Sequence, residues 1–283
     1  MKSIVVTGAS TGIGKDAARI LIERGFRVYG SVRKQEDADG LVRELGENFI
    51  PLLFDVTDEA AVHAAAEKVR EGLSGETLFG LVNNAGVAVP GPMMHLPIEN
   101  FRKQLEINVT GQLIVTQAFV PLLGADRSLK GAPGRIVNIS SGSGKSGSPF
   151  VGAYAASKHA LEGLSESMRR ELMLYGIDVI IVGPGPIDTP IWDKGERESA
   201  DQYKNTDYYE SGAKFQKYVL NRGRNGLPVE RVSEVILRAL TSAKPRVRYT
   251  ITPNPFRSWL MLMLPKRFID NLIAKNLGLI QMD

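Results

Sequence analysis

Ile4-Val5-Val6-Thr7-Gly8-Ala9-Ser10-Thr11-Gly12-Ile13-Gly14 is the stretch on which the fold turns. An apolar strand runs into a glycine-spaced loop. The loop opens a helix over 15–24 that carries Ala17, Ala18, Leu21 and Ile22 on one face. Gly8, Gly12 and Gly14 permit a sharp turn, close approach of the backbone to a pyrophosphate, and tight helix–strand contact. Ser10, Thr11 and Ile13 fill the loop between them, and the bare amides at the helix N-terminus attract the anion. A plain tight turn accounts for glycine spacing alone, but not for its position between a strand and a helix.

Working outward, Gly25 ends the helix, and strand-like runs follow at 27–32, 49–54, 78–82, 135–139, 177–182 and 248–251. Helical patterns at 59–71, 99–122, 153–175 and 229–241 fall between them. This alternation reads as α/β: a doubly wound parallel sheet of seven strands in a single Rossmann domain over residues 1–252. Two segments stand outside it. The first, 187–227, joins a strand to a helix where about six residues suffice, and insertions at that end of a parallel sheet build binding sites. The second is the tail, 253–283.

Composition narrows the chemistry. Of 283 residues, 43% are apolar and 23% charged, which excludes a disordered chain. Cysteine is absent, removing disulfides, thiolate nucleophiles, Cys-ligated zinc and iron–sulfur clusters. His63, His95 and His159 are scattered, so no metal site is expected. The net charge is +4, and basic residues come as pairs, Arg33-Lys34, Arg102-Lys103, Arg169-Arg170 and Lys266-Arg267. Such pairs read as solvated surface, and no nucleic-acid partner is expected. No signal peptide is expected ahead of the first strand. The apolar stretch 259–264 falls far short of the ~20 residues that cross a bilayer. A cytoplasmic protein is the expectation.

The end of the second strand discriminates between dinucleotides. An acid there accepts hydrogen bonds from the adenosine ribose 2′-OH, whereas a cation suits a 2′-phosphate. The sequence reads Tyr29-Gly30-Ser31-Val32-Arg33-Lys34, with Val32 at the acid's place and Arg33 after it. Arginine binds phosphate bidentately and Ser31 could add a hydroxyl, so NADP(H) is expected over NAD(H).

Seven motifs then carry a resemblance: the glycine loop Thr7 to Gly14, Asp55-Val56, Asn83-Asn84-Ala85-Gly86, Ile107-Asn108-Val109, Ser140-Ser141, Tyr154-Ala155-Ala156-Ser157-Lys158 and Pro184-Gly185. In order and spacing they resemble the short-chain dehydrogenase/reductase family. The resemblance implies hydride transfer between a nicotinamide and an alcohol or carbonyl. It implies that Asp55 and Val56 face the adenine and that Asn84, Ala85 and Gly86 line the adenosine ribose. Pro184, Gly185, Ile187 and Thr189 would cover the nicotinamide, and Lys158 would hold its ribose. Asn108 resembles the family residue that holds a water linking the lysine to solvent. Ser141 would bond the substrate oxygen, with Ser140 and Ser143 as nearby alternatives. Asn83 also suits a role tying the sheet together, and Val56 a packing role.

The residues support that chemistry directly. Tyr154 and Lys158 are four apart on a predicted helix and share one face. A neighbouring ammonium and a positive nicotinamide both favour phenolate, so a lowered Tyr154 phenol is expected. Tyr154 can then take the proton of an alcohol or give one to a carbonyl.

The insertion holds Trp192, Tyr203, Tyr208, Tyr209, Phe215 and Tyr218, an aromatic lid that suits a bulky, lipophilic alcohol or ketone. The competing reading is that these rings only pack the lid down. The tail holds Phe256, Trp259, Leu260, Met261, Leu262, Met263 and Leu264, then Lys266, Arg267, Phe268 and Ile269. Packing on the same domain is the favoured reading for it, and contact with a membrane surface the less favoured one. Together these features look most like the steroid and retinol dehydrogenase branch. The family implies a homodimer or a tetramer. Reductases of 3-ketoacyl thioesters or small carbonyls are the runner-up, and a non-catalytic NADP-sensing module is the alternative of another class.

Overall fold

Ile4 and Val6 join one apolar cluster and Val5 joins another, because successive strand side chains point to opposite faces. All four residues of this strand, β1 (Ser3–Val6), are buried, as expected for the middle of a sheet covered on both sides. The computed structural model describes residues 1–189 and 200–280. The remaining strands are β2 (Arg27–Val32), β3 (Phe49–Leu53), β4 (Gly80–Asn83), β5 (Arg135–Ile139), β6 (Asp178–Pro184) and β7 (Arg248–Ile251). All pair in parallel, in the order β3-β2-β1-β4-β5-β6-β7. The chain winds outward one way from β1 to β3, then crosses back to β4 and winds the other way. The crevice at the C-terminal ends of β1 and β4 is therefore the switch point where such sheets bind ligands.

Helices cover both faces. One cluster holds Ala17, Ala18 and Leu21 of α1 (Gly12–Glu23), Leu41 of α2 (Gln35–Leu45), and Val232 and Ile236 of α8 (Glu230–Thr241). The other holds Val62 and Val69 of α3 (Glu59–Leu73), Val115 and Phe119 of α5 (Gly111–Phe119), and Met168 of α6 (Gly152–Glu171).

The helix expected over 99–122 is interrupted. It begins as α4 (Ile98–Leu105), passes through a π-turn at Glu106–Thr110, continues as α5, and ends in a second π-turn at Pro121–Ala125. In the first π-turn the Gly111 amide donates to the Glu106 carbonyl, five residues back. A side chain at Gly111 would set its Cβ 2.7 Å from Val56 Cγ2, so the missing side chain lets this helix lie against the loop after β3. Such single-turn bulges are frequent at functional sites. Helix α2 escapes an apolar-periodicity reading because it buries only Ala38 and Leu41.

The insertion contains a helix, α7 (Tyr209–Arg224), and its two ends are stitched together. The Asp188 amide donates to the Leu227 carbonyl at 3.0 Å, and the Leu227 amide to the Pro186 carbonyl at 3.0 Å. The tail folds into α9 (Pro255–Met263) and α10 (Lys266–Leu277). Ile273 and Leu277 of α10 meet Phe215 and Val219 of α7.

Buried amides cross-link the layers. Asn83 Nδ2 donates to Thr116 Oγ1 and Asn138 Oδ1, both at 2.9 Å, and Asn138 Nδ2 donates to Ser165 Oγ at 2.8 Å. Asn83 thus ties β4 to β5 and α5. Asn83→Ala leaves the Asn138 oxygen without its donor in a closed interior, and a loss of about 2 kcal/mol of unfolding free energy is expected. Urea unfolding measures it, and a midpoint within error of the parent would refute the cross-link's role.

Candidate active site

The glycine loop is locked at the switch point by groups from three strands. Thr7 Oγ1 accepts the Asn84 amide at 2.9 Å and the Ala85 amide at 3.0 Å. Asn84 Nδ2 donates to the Thr7 carbonyl at 2.9 Å and the Gly8 carbonyl at 3.2 Å. From β2, Ser31 Oγ accepts the Gly8 amide at 3.0 Å. The Ser31 oxygen, on a buried residue, is thus engaged by the loop as an acceptor. A Cβ on Gly14 would lie 2.2 Å from the Gly8 carbonyl oxygen, and one on Gly8 2.9 Å from Ala85 Cα. At the mouth of α1, Thr11 makes no side-chain cap and no acid occupies the first turn. The amides of this turn fit a pyrophosphate, since among the described residues no side chain caps them. Thr189 stands over the loop, its Cβ 3.6 Å from where a Gly12 Cβ would be. Gly185 is pinned to β7 by its amide, which donates to the Ile251 carbonyl at 2.7 Å. Ile187 is 4% exposed and its side chain joins the apolar cluster on one face of the sheet. Trp192 lies outside the described residues.

At the far end of the crevice, Arg33 Nη1 sits 3.6 Å from Asp55 Oδ2. Asp55 is partly desolvated, which raises its carboxyl, but hydrogen bonds from Thr57 and the Arg33 charge outweigh that and hold it below the ordinary range. Arg33, Asp55, Thr57, Arg102, Lys103 and Ile107 line a cavity of about 470 Å³ here, with Glu106. The Arg102-Lys103 pair, read from sequence as solvated surface, thus adds two cations to the same rim as Arg33. Val56 is buried against α5, as its size suggested.

The second half of the site lies between β5 and α6. Tyr154 is on the first turn of α6 and Lys158 one turn later. Lys158 is 4% exposed, and its Nζ donates to the Ile139 carbonyl at the end of β5 at 2.8 Å. Ser141 caps the 3₁₀ turn Gly142–Gly144, its Oγ accepting the Ser143 amide at 3.1 Å, and its hydroxyl lies near enough to the Tyr154 phenol to pull it downward. Ser140 faces away, its hydroxyl donating to Glu162 Oε1 at 2.7 Å. Of the three serines, Ser141 is therefore the one beside Tyr154. Asn108, in the π-turn, is fully buried. Its Nδ2 donates to the Val87 carbonyl at 2.9 Å and Ser157 Oγ at 3.1 Å, and its Oδ1 accepts the Val87 amide at 2.9 Å. Its side chain is occupied in joining the loop after β4 to α6 between Tyr154 and Lys158.

Charge states follow from burial. Desolvation pulls the Lys158 ammonium down to about 8, against the opposing pull of Glu162. Desolvation also pushes the Tyr154 phenol up, and Ser141 only partly reverses this. The chain's own groups do not produce the lowered phenol expected from sequence. The reason is burial, since desolvation of the phenol outweighs the Ser141 contribution; the Lys158 ammonium, bonded to the Ile139 carbonyl, lies over the Tyr154 ring at 5.8 Å from its centre.

Glu162 is the residue that sequence reading missed. It lies one turn beyond Lys158 on the same face of α6 and is 7% exposed. It accepts Arg248 Nε at 3.0 Å and Nη2 at 3.1 Å, and pairs with Lys145 at 3.2 Å. Burial raises its carboxyl, but Arg248, Ser140 and Lys145 together hold it below the usual carboxylate range. The spacing Tyr154, Lys158, Glu162 was the available signal. Nothing local marked Arg248, 86 residues away.

Residues 2–200 match the family described as short chain dehydrogenase. The chain is 41% identical over 279 residues to an NADPH-dependent 3-dehydrocapnine reductase from Ornithobacterium rhinotracheale, covering 98% of each. It is 34% identical over 284 residues to human retinol dehydrogenase 5, covering 96% of this chain and 87% of that one. Among solved structures, a short-chain dehydrogenase from Streptomyces avermitilis superposes with a TM-score of 0.75 at 26% identity, covering 97% of this chain and 94% of the other. The glycine-loop crevice and the β5–α6 cluster thus sit in a chain that belongs to the short-chain dehydrogenase/reductase family, NAD(P)-dependent oxidoreductases that act on CH–OH and C=O groups.

Proposed function

We propose that this protein is an NADPH-dependent reductase of a bulky, lipophilic ketone, with Tyr154 as the proton donor. The observation that carries the reading is the Tyr154 phenol, raised by burial and lying beside Ser141. A phenol that keeps its proton at neutral pH is an acid in waiting, which suits reduction. The name of one relative, an NADPH-dependent reductase, supports the direction, and that of the other, a retinol dehydrogenase, supports an apolar substrate. The dinucleotide, bound along the glycine loop, supplies the hydride. Ser141 and Tyr154 hold the carbonyl oxygen by two hydrogen bonds, which strengthen as negative charge develops on it. Tyr154 then gives up its proton, and the Lys158 cation stabilises the phenolate left behind. Asn108 holds α6 in register with the loop after β4. Gly8, Ser10, Thr11, Gly12, Ile13 and Gly14 cradle the pyrophosphate, and Asn84, Ala85 and Gly86 border the adenosine ribose. Pro184, Gly185, Ile187 and Thr189 close over the nicotinamide. A homodimer, by family resemblance, and a cytoplasmic location complete the reading.

Tyr154→Phe removes only the hydroxyl. NADPH binding should persist while ketone turnover falls by about a hundredfold or more. Measured across a panel of ketones, parental kcat/KM should rise with apolar bulk. A panel won by small hydrophilic carbonyls or by 3-ketoacyl thioesters would overturn the substrate class.

Lys158 needs its proton for this step, so kcat/KM for reduction should hold steady below about 8 and fall above it. Glu162 raises the lysine; Glu162→Gln removes that influence and leaves Arg248 as an unpaired cation nearby. Both effects lower Lys158 further, and the alkaline loss of activity should move to lower pH. A variant with the parental pH profile and merely reduced thermal stability would show that Glu162 is structural.

Arg33 faces Asp55, so a 2′-phosphate placed between them is held by the guanidinium against the repulsion of the carboxylate. Arg33→Ala should raise KM for NADPH about tenfold, the worth of one charge-assisted contact, and leave KM for NADH nearly unchanged. Equal changes with both dinucleotides would remove Arg33 from cofactor choice.

A further inference from the structure

The tail presents its apolar side outward. Phe256, Trp259, Leu260 and Met263, spaced by three and four, share one face of α9, and all are exposed. Phe256 is 70%, Trp259 56% and Met263 67% accessible. On α10, Phe268 and Leu272 continue the exposed surface one turn apart, and Leu279 and Ile280 extend it past the helix end. The inner side of α10 is occupied, because Ile273 and Leu277 pack on α7. Exposed apolar surface of this extent marks an interaction site. Cations accompany it: α10 carries Lys266, Arg267 and Lys275 against the single acid Asp270, all exposed, with Lys275 on the same face as Phe268 and Leu272. Lys214 of α7 reaches the C-terminal end of α10 at Gly278.

We propose that this face docks on the surface of a lipid bilayer that carries anionic headgroups. Three features favour that occupant. Among the described residues no helix is long and apolar enough to cross a membrane, so α9 and α10 would lie in its plane. The rings of Phe256 and Trp259 lean on each other, 6.0 Å apart, as an apolar wedge beside long cationic side chains. Lys and Arg can bury their stems while their heads meet headgroups. A second copy of the chain fits less well. Isologous pairing would set this net-positive surface against its own copy, with only Asp270 to offset the cations of α10. Docking would also place the lid at the membrane. Phe215 of α7 packs between Leu277 of α10 and Phe150, and Phe150 lies just ahead of α6 and Tyr154. The proposal does not rest on the substrate reading, since binding to vesicles is read without turnover.

The test is flotation of the full chain with vesicles of phosphatidylcholine alone or mixed with phosphatidylglycerol. The protein should float with the mixed vesicles, about tenfold less with phosphatidylcholine alone, and less as salt is added. Trp259→Glu combined with Met263→Glu should abolish flotation while turnover of a water-soluble ketone and the melting temperature stay parental. Lys266→Glu combined with Arg267→Glu should remove the preference for anionic vesicles. Vesicle-induced blue shift of tryptophan fluorescence should be lost in Trp259→Phe, a variant that still floats. A protein that stays in the aqueous fraction with both vesicle types would overturn the proposal. So would flotation that survives the double glutamate variant, or a dimer in light scattering that dissociates on that substitution.

Discussion

A buried ammonium sets the terms for this molecule. Lys158 lies almost wholly out of water, and an ion removed from water loses several kcal/mol unless other groups replace its hydration. The Ile139 carbonyl supplies one partner and the Glu162 carboxylate the opposing charge. Glu162 is itself nearly buried, so it in turn requires Arg248, Lys145 and the Ser140 hydroxyl. One charge thus recruits groups from β5, β7, α6 and the loop after β5. The order of the sheet follows the same need, because β5, β6 and β7 must lie side by side for Arg248 to reach α6. Arg248 Nη2 also reaches the Ser141 carbonyl at 3.5 Å, which extends the network to the serine beside Tyr154.

The other half of the site depends on close approach, not on charge. At the switch point, β1 and β4 part in opposite winding directions, and the glycine loop is drawn into the gap by Thr7 and Asn84. A Cβ at Gly14 would meet the Gly8 carbonyl at 2.2 Å, backbone against backbone, where no rotamer gives relief. The residues that hold the loop and those that leave room for it are different, and both sets are required. Ser31 belongs to the first set, its oxygen accepting the Gly8 amide.

The parts of the fold that were legible in the sequence are those in which one residue type has one use. Apolar runs marked the seven strands, and β2, β5 and β7 fall within the expected limits. Glycines after a strand marked the loop. The placement of Tyr154 and Lys158 one turn apart on one helix was legible from spacing, and that of Arg33 just past β2 from its position in the chain. Helix α2 was not, since two buried residues make no period. The π-turn around Asn108 was hidden because an inserted residue leaves apolar periodicity almost intact on either side. Glu162 was hidden because a glutamate on a helix ordinarily faces water, and its main partner is distant in the chain. The tail was legible in composition and not in orientation. An amphipathic helix reads the same whether its apolar face turns inward or outward.

That ambiguity has a physical resolution in how the tail is held. The apolar contacts of α10 are with α7, and α7 belongs to the insertion whose ends are closed by the pairing of Ile187 with Leu227. The small cluster of Phe150, Phe215 and Leu277 stands apart from the two clusters that sandwich the sheet. Lid and tail therefore share a core of their own, joined to the body where Phe150 holds a left-handed conformation with φ of 62°. A non-glycine residue there is strained, and such strain persists where the surrounding structure over-determines it. The Phe150 carbonyl accepts the Gly91 amide at 2.7 Å, and the next residues begin α6. Two larger clusters sandwich the sheet whose strand ends carry the glycine-loop crevice and the buried lysine. The third and smaller one holds the insertion and the tail together, and its few buried residues make it the least costly of the three to open.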